Sequence, residues 1–206
     1  MLKIKHFIEQ SWLLIVSSFC FGLLIAVASA AWSPRIERNE REKRNNLMKE
    51  LIRDANSFEV AAEGVEVPAR KGKLTKTDIY KAVDSEGSSV GFAFIAVGSG
   101  FQDKIKLVIA VDGACEKLFG FKVLASNETP GFGDKIKKDY LGSQFKGAPA
   151  KELQLVKTGD EKRIDSEIVA ISGATVSSQA VVDIFNKYVD KIREQLRTKG
   201  LIGDGS

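Results

Sequence analysis

The chain has 206 residues, 31 Lys+Arg against 27 Asp+Glu, a formal net charge of +4, one histidine and two cysteines. Two cysteines cannot supply a Cys₄ iron–sulfur cluster, and a single histidine at position 6 cannot serve a Ser-His-Asp triad, a histidine-ligated zinc or a bis-histidine haem in the folded part. Basic and acidic residues are interspersed, so the balance carries no nucleic-acid footprint, and redox or transfer chemistry would have to come from an organic cofactor.

Residues 1–11 read as a short N-terminal tail. From Trp12 to Trp32 the chain runs without a charge, with a tryptophan at each end in the manner of a bilayer's aromatic belt. As helix this stretch is about 30 Å long, which matches a membrane core. Ala28-Ser29-Ala30 also resembles a signal-peptidase site, but the length of the run and Glu9 before it favour an anchor. Residues 33–56 read as a charged linker helix with Ile36, Leu47, Leu51 and Ile52 as its apolar positions. Positive-inside counting over Arg35, Arg38, Arg41, Lys43 and Arg44 places the C-terminal part in the cytoplasm, although Glu37, Glu40 and Glu42 share that run.

Setting the anchor aside leaves roughly 160 residues, enough for one domain with a proper core. The domain, residues 57–199, reads as α+β. Ile79–Val83 and Val90–Val97 alternate as strands around Asp84-Ser85-Glu86-Gly87, and Ile105–Val111 and Ala114–Ala125 do so around Asp112-Gly113. A Gly- and Pro-rich loop covers Ser126–Asp134, a short helix starts near Lys135, and Glu152–Val156 is a further strand candidate. Val182, Phe185, Val189, Ile192 and Leu196 fall at steps of three and four, which predicts a long helix from Val176 to Arg197. Residues 200–206 read as a disordered tail. The fold class is therefore α+β: a single N-terminal transmembrane helix, then an antiparallel sheet and a long C-terminal helix.

Three segments are candidates for chemistry. Ser172-Gly173-Ala174-Thr175-Val176-Ser177-Ser178 leads into the final helix, where free N–H groups and the helix dipole favour a phosphate; the same residue types also cap helices without a ligand. Asn127-Glu128-Thr129-Pro130-Gly131-Phe132-Gly133-Asp134-Lys135-Ile136 contains a sharply shaped loop, two glycines around a phenylalanine after a proline, that can lie against a flat ring or simply connect two elements. Gly98-Ser99-Gly100-Phe101 is an anion nest or a bulged strand end. Cys115 reads as a buried small apolar residue.

Together, Glu-Thr-Pro-Gly-Phe-Gly-Asp-Lys-Ile at 128–136 and Ser-Gly-Ala-Thr-Val-Ser-Ser at 172–178 resemble the FMN-binding domain of the G subunit of the Rnf electron-transport complex. The C subunit of the sodium-translocating NADH:quinone reductase shares the second motif, and Tyr140–Phe145 resembles the family's short aromatic segment. The resemblance implies one FMN-binding domain and a covalent FMN joined through its phosphate to Thr175, with Ser172, Gly173, Ala174, Ser177 and Ser178 around the phosphate. Glu128, Thr129, Pro130, Gly131 and Gly133 would line the ring, with Lys135 able to tune its potential.

The resemblance further implies no catalytic residue and no bound metal. Its partners would be the other membrane and iron–sulfur subunits of an Rnf-type complex, with a flavin transferase that uses FAD. The function implied is electron relay in an ion-translocating ferredoxin:NAD oxidoreductase, in the inner (cytoplasmic) membrane, with the C-terminal domain on the external or periplasmic side. The quinone-reductase C subunit and a flavin-free anchored scaffold are the alternatives. The transferase's usual pattern has an Asp six residues before the modified threonine; here that position is Val169, with Asp165 four residues further upstream.

Overall fold

A computed structural model describes residues 2–68 and 74–203. The chain divides into two compact units, Met1–Lys43 and Arg44–Ser206. Helix α1, Leu2–Leu51, is continuous through the segments expected as tail, span and linker; residue 1 of that tail lies outside the described residues. Along its apolar run Trp12, Leu13, Leu14, Ile15, Phe19 and Trp32 are all exposed. It is the one helix among the described residues long and apolar enough to cross a membrane. Pro34 sits inside it, just beyond that run, where its ring removes one i→i−4 donor.

In the second unit, strands β1 (Ser57–Pro68), β2 (Leu74–Val83), β3 (Ser89–Ser99), β4 (Lys104–Asp112) and β5 (Leu118–Ser126) form an antiparallel meander in sequence order. Both expected hairpins are present. Asp84 Oδ1 accepts from the N–H groups of Glu86 (2.9 Å) and Ser88 (2.8 Å) to shape the first. In the second, Asp112 Oδ1 accepts from Glu116 (2.7 Å) and Lys117 (3.1 Å). Those bonds hold 113–117 as a loop, so β5 starts at Leu118 and not at Ala114 as expected. The linker helix likewise ends at Leu51 and not near Asn56, because the Asn56 N–H donates to Val83 O (2.7 Å) and enters the sheet.

β1 has no clear signature in the sequence because its alternation is weak: Glu59, Glu63, Gly64 and Glu66 interrupt it, and its register slips twice against β2. A 3₁₀ turn at Gly133–Lys137, helix α2 (Asp139–Phe145) and the short parallel strands β6 (Gln154–Val156) and β7 (Glu167–Val169) lead to α3, Thr175–Thr198.

The pleat sorts the sheet into two faces. Phe92, Phe94, Leu107 and Ile109 belong to the main core with Phe121, Phe145 and the stripe Val182, Phe185, Val189, Ile192 and Leu196 of α3. Burying each such side chain stabilises the fold by about 1.5–3 kcal/mol. Tyr80, Ala82, Ala93, Val108 and Ala110 face the other way, onto Met48 and Ile52. Of the expected tail, Gly200–Gly203 is described, and Ile202 in it is buried in the main core; 204–206 lie outside the described residues.

Candidate functional site

The register of α3 on the sheet positions the site. The Val97 N–H donates to the Tyr188 hydroxyl (3.1 Å), which donates to Val97 O (3.3 Å). One residue on, Gly98 lies so close to α3 that an added Cβ would stand 2.3 Å from Ile184 Cγ1. The first turn of α3 is thereby set beside the loop at 100–103. This role explains Gly98-Ser99-Gly100 as close packing, and no anion nest is needed.

Glu128 joins the three candidate segments. It is only 4 % exposed. Its Oε1 accepts from the N–H groups of Gln102 (3.1 Å) and Asp103 (3.5 Å), and its Oε2 accepts from the Ser177 hydroxyl (2.5 Å). Burial pushes its pKa up, but the Ser177 hydroxyl and the backbone N–H groups facing it outweigh that and hold it below the ordinary value. Gly100 and Gly133 make room for this carboxylate: an added Cβ would stand 2.3 Å from Oε1 in the first case and 2.7 Å from Oε2 in the second.

The start of α3 is bare. Its N-cap is Ala174, with no side-chain hydrogen bond to the first turn and no acidic residue in that turn. The N–H groups of Thr175, Val176 and Ser177 precede the first intrahelical bond, Ser178 N–H to Ala174 O (2.9 Å), so they point out of the helix end. The hydroxyls that looked like caps are used elsewhere: Ser177 on Glu128, and Ser178 on Ala174 O (3.0 Å) and the Ile171 N–H (3.2 Å). Thr175 is exposed, and Gly173 turns at φ 77° just before it. Lys135 Nζ donates to Ser172 O (3.5 Å), bringing a cation to the same end.

Glu128 and the helix start at Ala174–Ser177 line one cavity of about 420 Å³. Of the residues expected at the site, Glu128, Thr129, Gly133, Gly173, Ala174, Thr175 and Ser177 line it. Ser172, Pro130 and Gly131 are exposed beside it, and Ser178 is fully buried behind the helix start. Phe101, Phe132 and Val176 line it too. All three fall within the candidate segments, but the sequence alone gives them no role; the one signal is an aromatic beside glycine in each loop. Val169 is buried in β7, where Gln144 bonds both its N–H (2.7 Å) and its carbonyl (3.2 Å), and Asp165 pairs with Arg163 (2.5 Å).

The model of the FMN-binding domain family matches residues 100–190, which contain the whole cavity. The G subunit of the ion-translocating oxidoreductase complex of Methanosarcina acetivorans is 31% identical over 182 residues, covering 88% of this chain and 92% of that one. The chain belongs to the G-subunit family of ion-translocating oxidoreductase complexes. A second relative, the G subunit of the Na(+)-translocating ferredoxin:NAD(+) oxidoreductase complex of Acetobacterium woodii, is 30% identical and covers 86% of this chain and 87% of its own. The fold is also that of NqrC from Shewanella oneidensis, with TM-score 0.56 at 22% identity over 71% of this chain and 73% of that one.

The residues present fit FMN. For the phosphate there is a helix start with three outward N–H groups, no capping side chain and a nearby lysine. For the ring there is a cavity with Gly133, Gly173 and Ala174 in its lining, none carrying more than a Cβ, beside the Glu128 carboxylate and the Ser177 hydroxyl.

Proposed function

We propose that this chain relays electrons within a membrane-bound, ion-translocating ferredoxin:NAD oxidoreductase complex, through an FMN attached by a phosphoester to Thr175. The observation that carries the reading is the uncapped start of α3, with Thr175 exposed at the edge of the Glu128 cavity. Its relatives, named as subunits of such complexes, match along most of their length, which favours this assembly over a free-standing module.

FMN supplies one- and two-electron transfer. The protein's part is to hold and position. The three N–H groups at 175–177 and the positive end of a 24-residue helix stabilise the phosphoester anion. Ser172 and Gly173 shape the approach to Thr175, while Ser177 and Ser178 fasten the helix start from behind. Glu128, Thr129, Pro130, Gly131 and Gly133 form the ring side, with the Glu128 carboxylate as a fixed negative charge.

Attachment needs a flavin transferase: the Thr175 oxygen bonds to the phosphorus next to the ribityl chain, the pyrophosphate of FAD breaks, AMP leaves, and the hydroxyl proton goes to solvent. Val169 stands where that enzyme's usual pattern has Asp, so the reading holds that this branch accepts a buried valine there. The domain lies on the external side of the inner membrane, where a covalent tether keeps FMN from dilution. The partners are the complex's membrane and iron–sulfur subunits.

Intact mass and in-gel flavin fluorescence of the protein from its native membrane, beside Thr175→Val, test this. A mass gain of one FMN less one water, lost in the variant, is the expected result. An unmodified mass with no flavin would leave the scaffold reading.

A further inference from the structure

Seven phenylalanines of the C-terminal unit are buried or half-buried, whereas Phe101 is 70% exposed and Phe132 59% exposed. Both line the Glu128 cavity, and they come from different loops. Large apolar rings left in water at the mouth of one cavity mark a surface meant to be covered. We propose that Phe101 and Phe132 are the two apolar jaws that hold the flavin ring, a role that rests on the FMN reading above.

Both are set on fixed backbone. Gly100 N–H donates to Asp103 O (2.7 Å), closing a tight turn around Phe101. That turn is tied to the 127–129 segment through Gln102 and Asp103 N–H to Glu128, Thr129 Oγ1 to Gln102 Oε1 (3.0 Å) and Asn127 Nδ2 to Asp103 Oδ2 (2.9 Å). Phe132 N–H donates to Thr129 O (3.2 Å), and Lys135 N–H donates to Phe132 O (3.1 Å). Jaws held in place before binding lose little freedom when a ring enters.

Part of the lining suits a flat occupant. Gly133, Gly173 and Ala174 add no bulk, and a Cβ on Gly173 would fall 3.8 Å from Phe132 Cδ1, inside the space the jaw borders. A planar aromatic ring stacks or packs edge-on against phenylalanine and is the ligand chemistry these surfaces favour. The two side chains act on the ring and not on the phosphate, which separates their effect from that of Thr175.

The full-length flavin-loaded protein tests this as wild type, Phe101→Ala, Phe132→Ala and Ile164→Ala, the last an exposed apolar position outside the cavity lining. Intact mass reports attachment, and iodide quenching of flavin fluorescence reports how open the ring is. Each Phe→Ala change is expected to keep the flavin mass and raise the quenching constant about twofold or more, because each phenylalanine shields part of the ring from solvent. Ile164→Ala is expected to match wild type. Unchanged quenching in both Phe→Ala variants overturns the jaws and leaves the FMN reading standing, as does a folded Phe→Ala variant that carries no flavin. A wild-type protein without flavin mass overturns the FMN reading itself, and the jaws with it.

Discussion

Two cavities in the C-terminal unit differ in what lines them. The larger, about 570 Å³, lies between the end of α1, β5 and α2, and carries Arg53, Lys122, Lys137, Lys138 and Lys146 beside Glu50, Asp54 and Asp139. Lys122 there sits between Glu50 (3.7 Å) and Asp139 (3.6 Å), and all three side chains are more than a third exposed. The smaller holds one charged side chain, Glu128, fixed by three donors, and a helix starts at its edge. Exposed charges that neutralise one another in water discriminate little between ligands. Polar groups locked by buried hydrogen bonds, beside a helix end with spare donors, are organised before anything binds. Size alone does not separate the two; the organisation of their polar groups does.

The sharpest way to break this contrast is to remove the lock. Glu128→Ala leaves three donors without their acceptor, two N–H groups and a buried hydroxyl, and is expected to lower stability by about 3 kcal/mol. Thermal unfolding of the detergent-solubilised full-length protein measures it. A loss under a third of that would show that the carboxylate does not tie the segments together.

Glycine substitutions probe the two cavities at equal chemistry. In Gly133→Ala the new Cβ would stand 2.6 Å from Ser177 Oγ and 2.7 Å from Glu128 Oε2, for a loss of about 2 kcal/mol. Gly142, on the larger cavity, has nothing within 4 Å of an added Cβ and lies inside α2. Gly142→Ala is therefore expected to gain about 0.5–1 kcal/mol from helix propensity. Opposite signs in the two melting temperatures are the outcome to look for.

Acid titration sharpens the comparison further. Because the folded-state pKa of Glu128 lies below the ordinary 4.5, its stabilisation is complete above that value and is lost as pH falls through the folded-state pKa. Melting curves from about pH 5 down to 3 should fall more steeply for wild type than for Glu128→Gln, which has no such proton to take up. The smallest effect belongs to the larger cavity: Lys122→Ala should change stability by about 0.5 kcal/mol or less. Its flavin mass should stay the same; a lost flavin would make the larger cavity part of the site.

What could be read in the sequence was local. The uncharged run between two tryptophans, the 3-4 stripe of α3, and the hairpin turns at Asp84 and Asp112 depend on neighbours within a few residues, and each stands where expected. The motifs at 128–136 and 172–178 could be picked out too, since a glycine-shaped loop and a helix start carry their own signals, and residues of both line one cavity. β1 and β7 were missed because one is interrupted by glutamates and the other spans three residues, too few for a period.

Only the tertiary structure decided which members of those motifs do what. Ser177 and Ser178 turn inward while Thr175 turns out, because the phase of α3 is set by Tyr188 on Val97 and Ile184 on Gly98. Glu128 is a buried lock and not a wall residue alone, because its partners lie 25, 26 and 49 positions away in the chain. Phe101 and Phe132 meet at one cavity for the same reason. Contacts across such separations are fixed by how α3 seats on the sheet, and no pattern within a single segment encodes that seating.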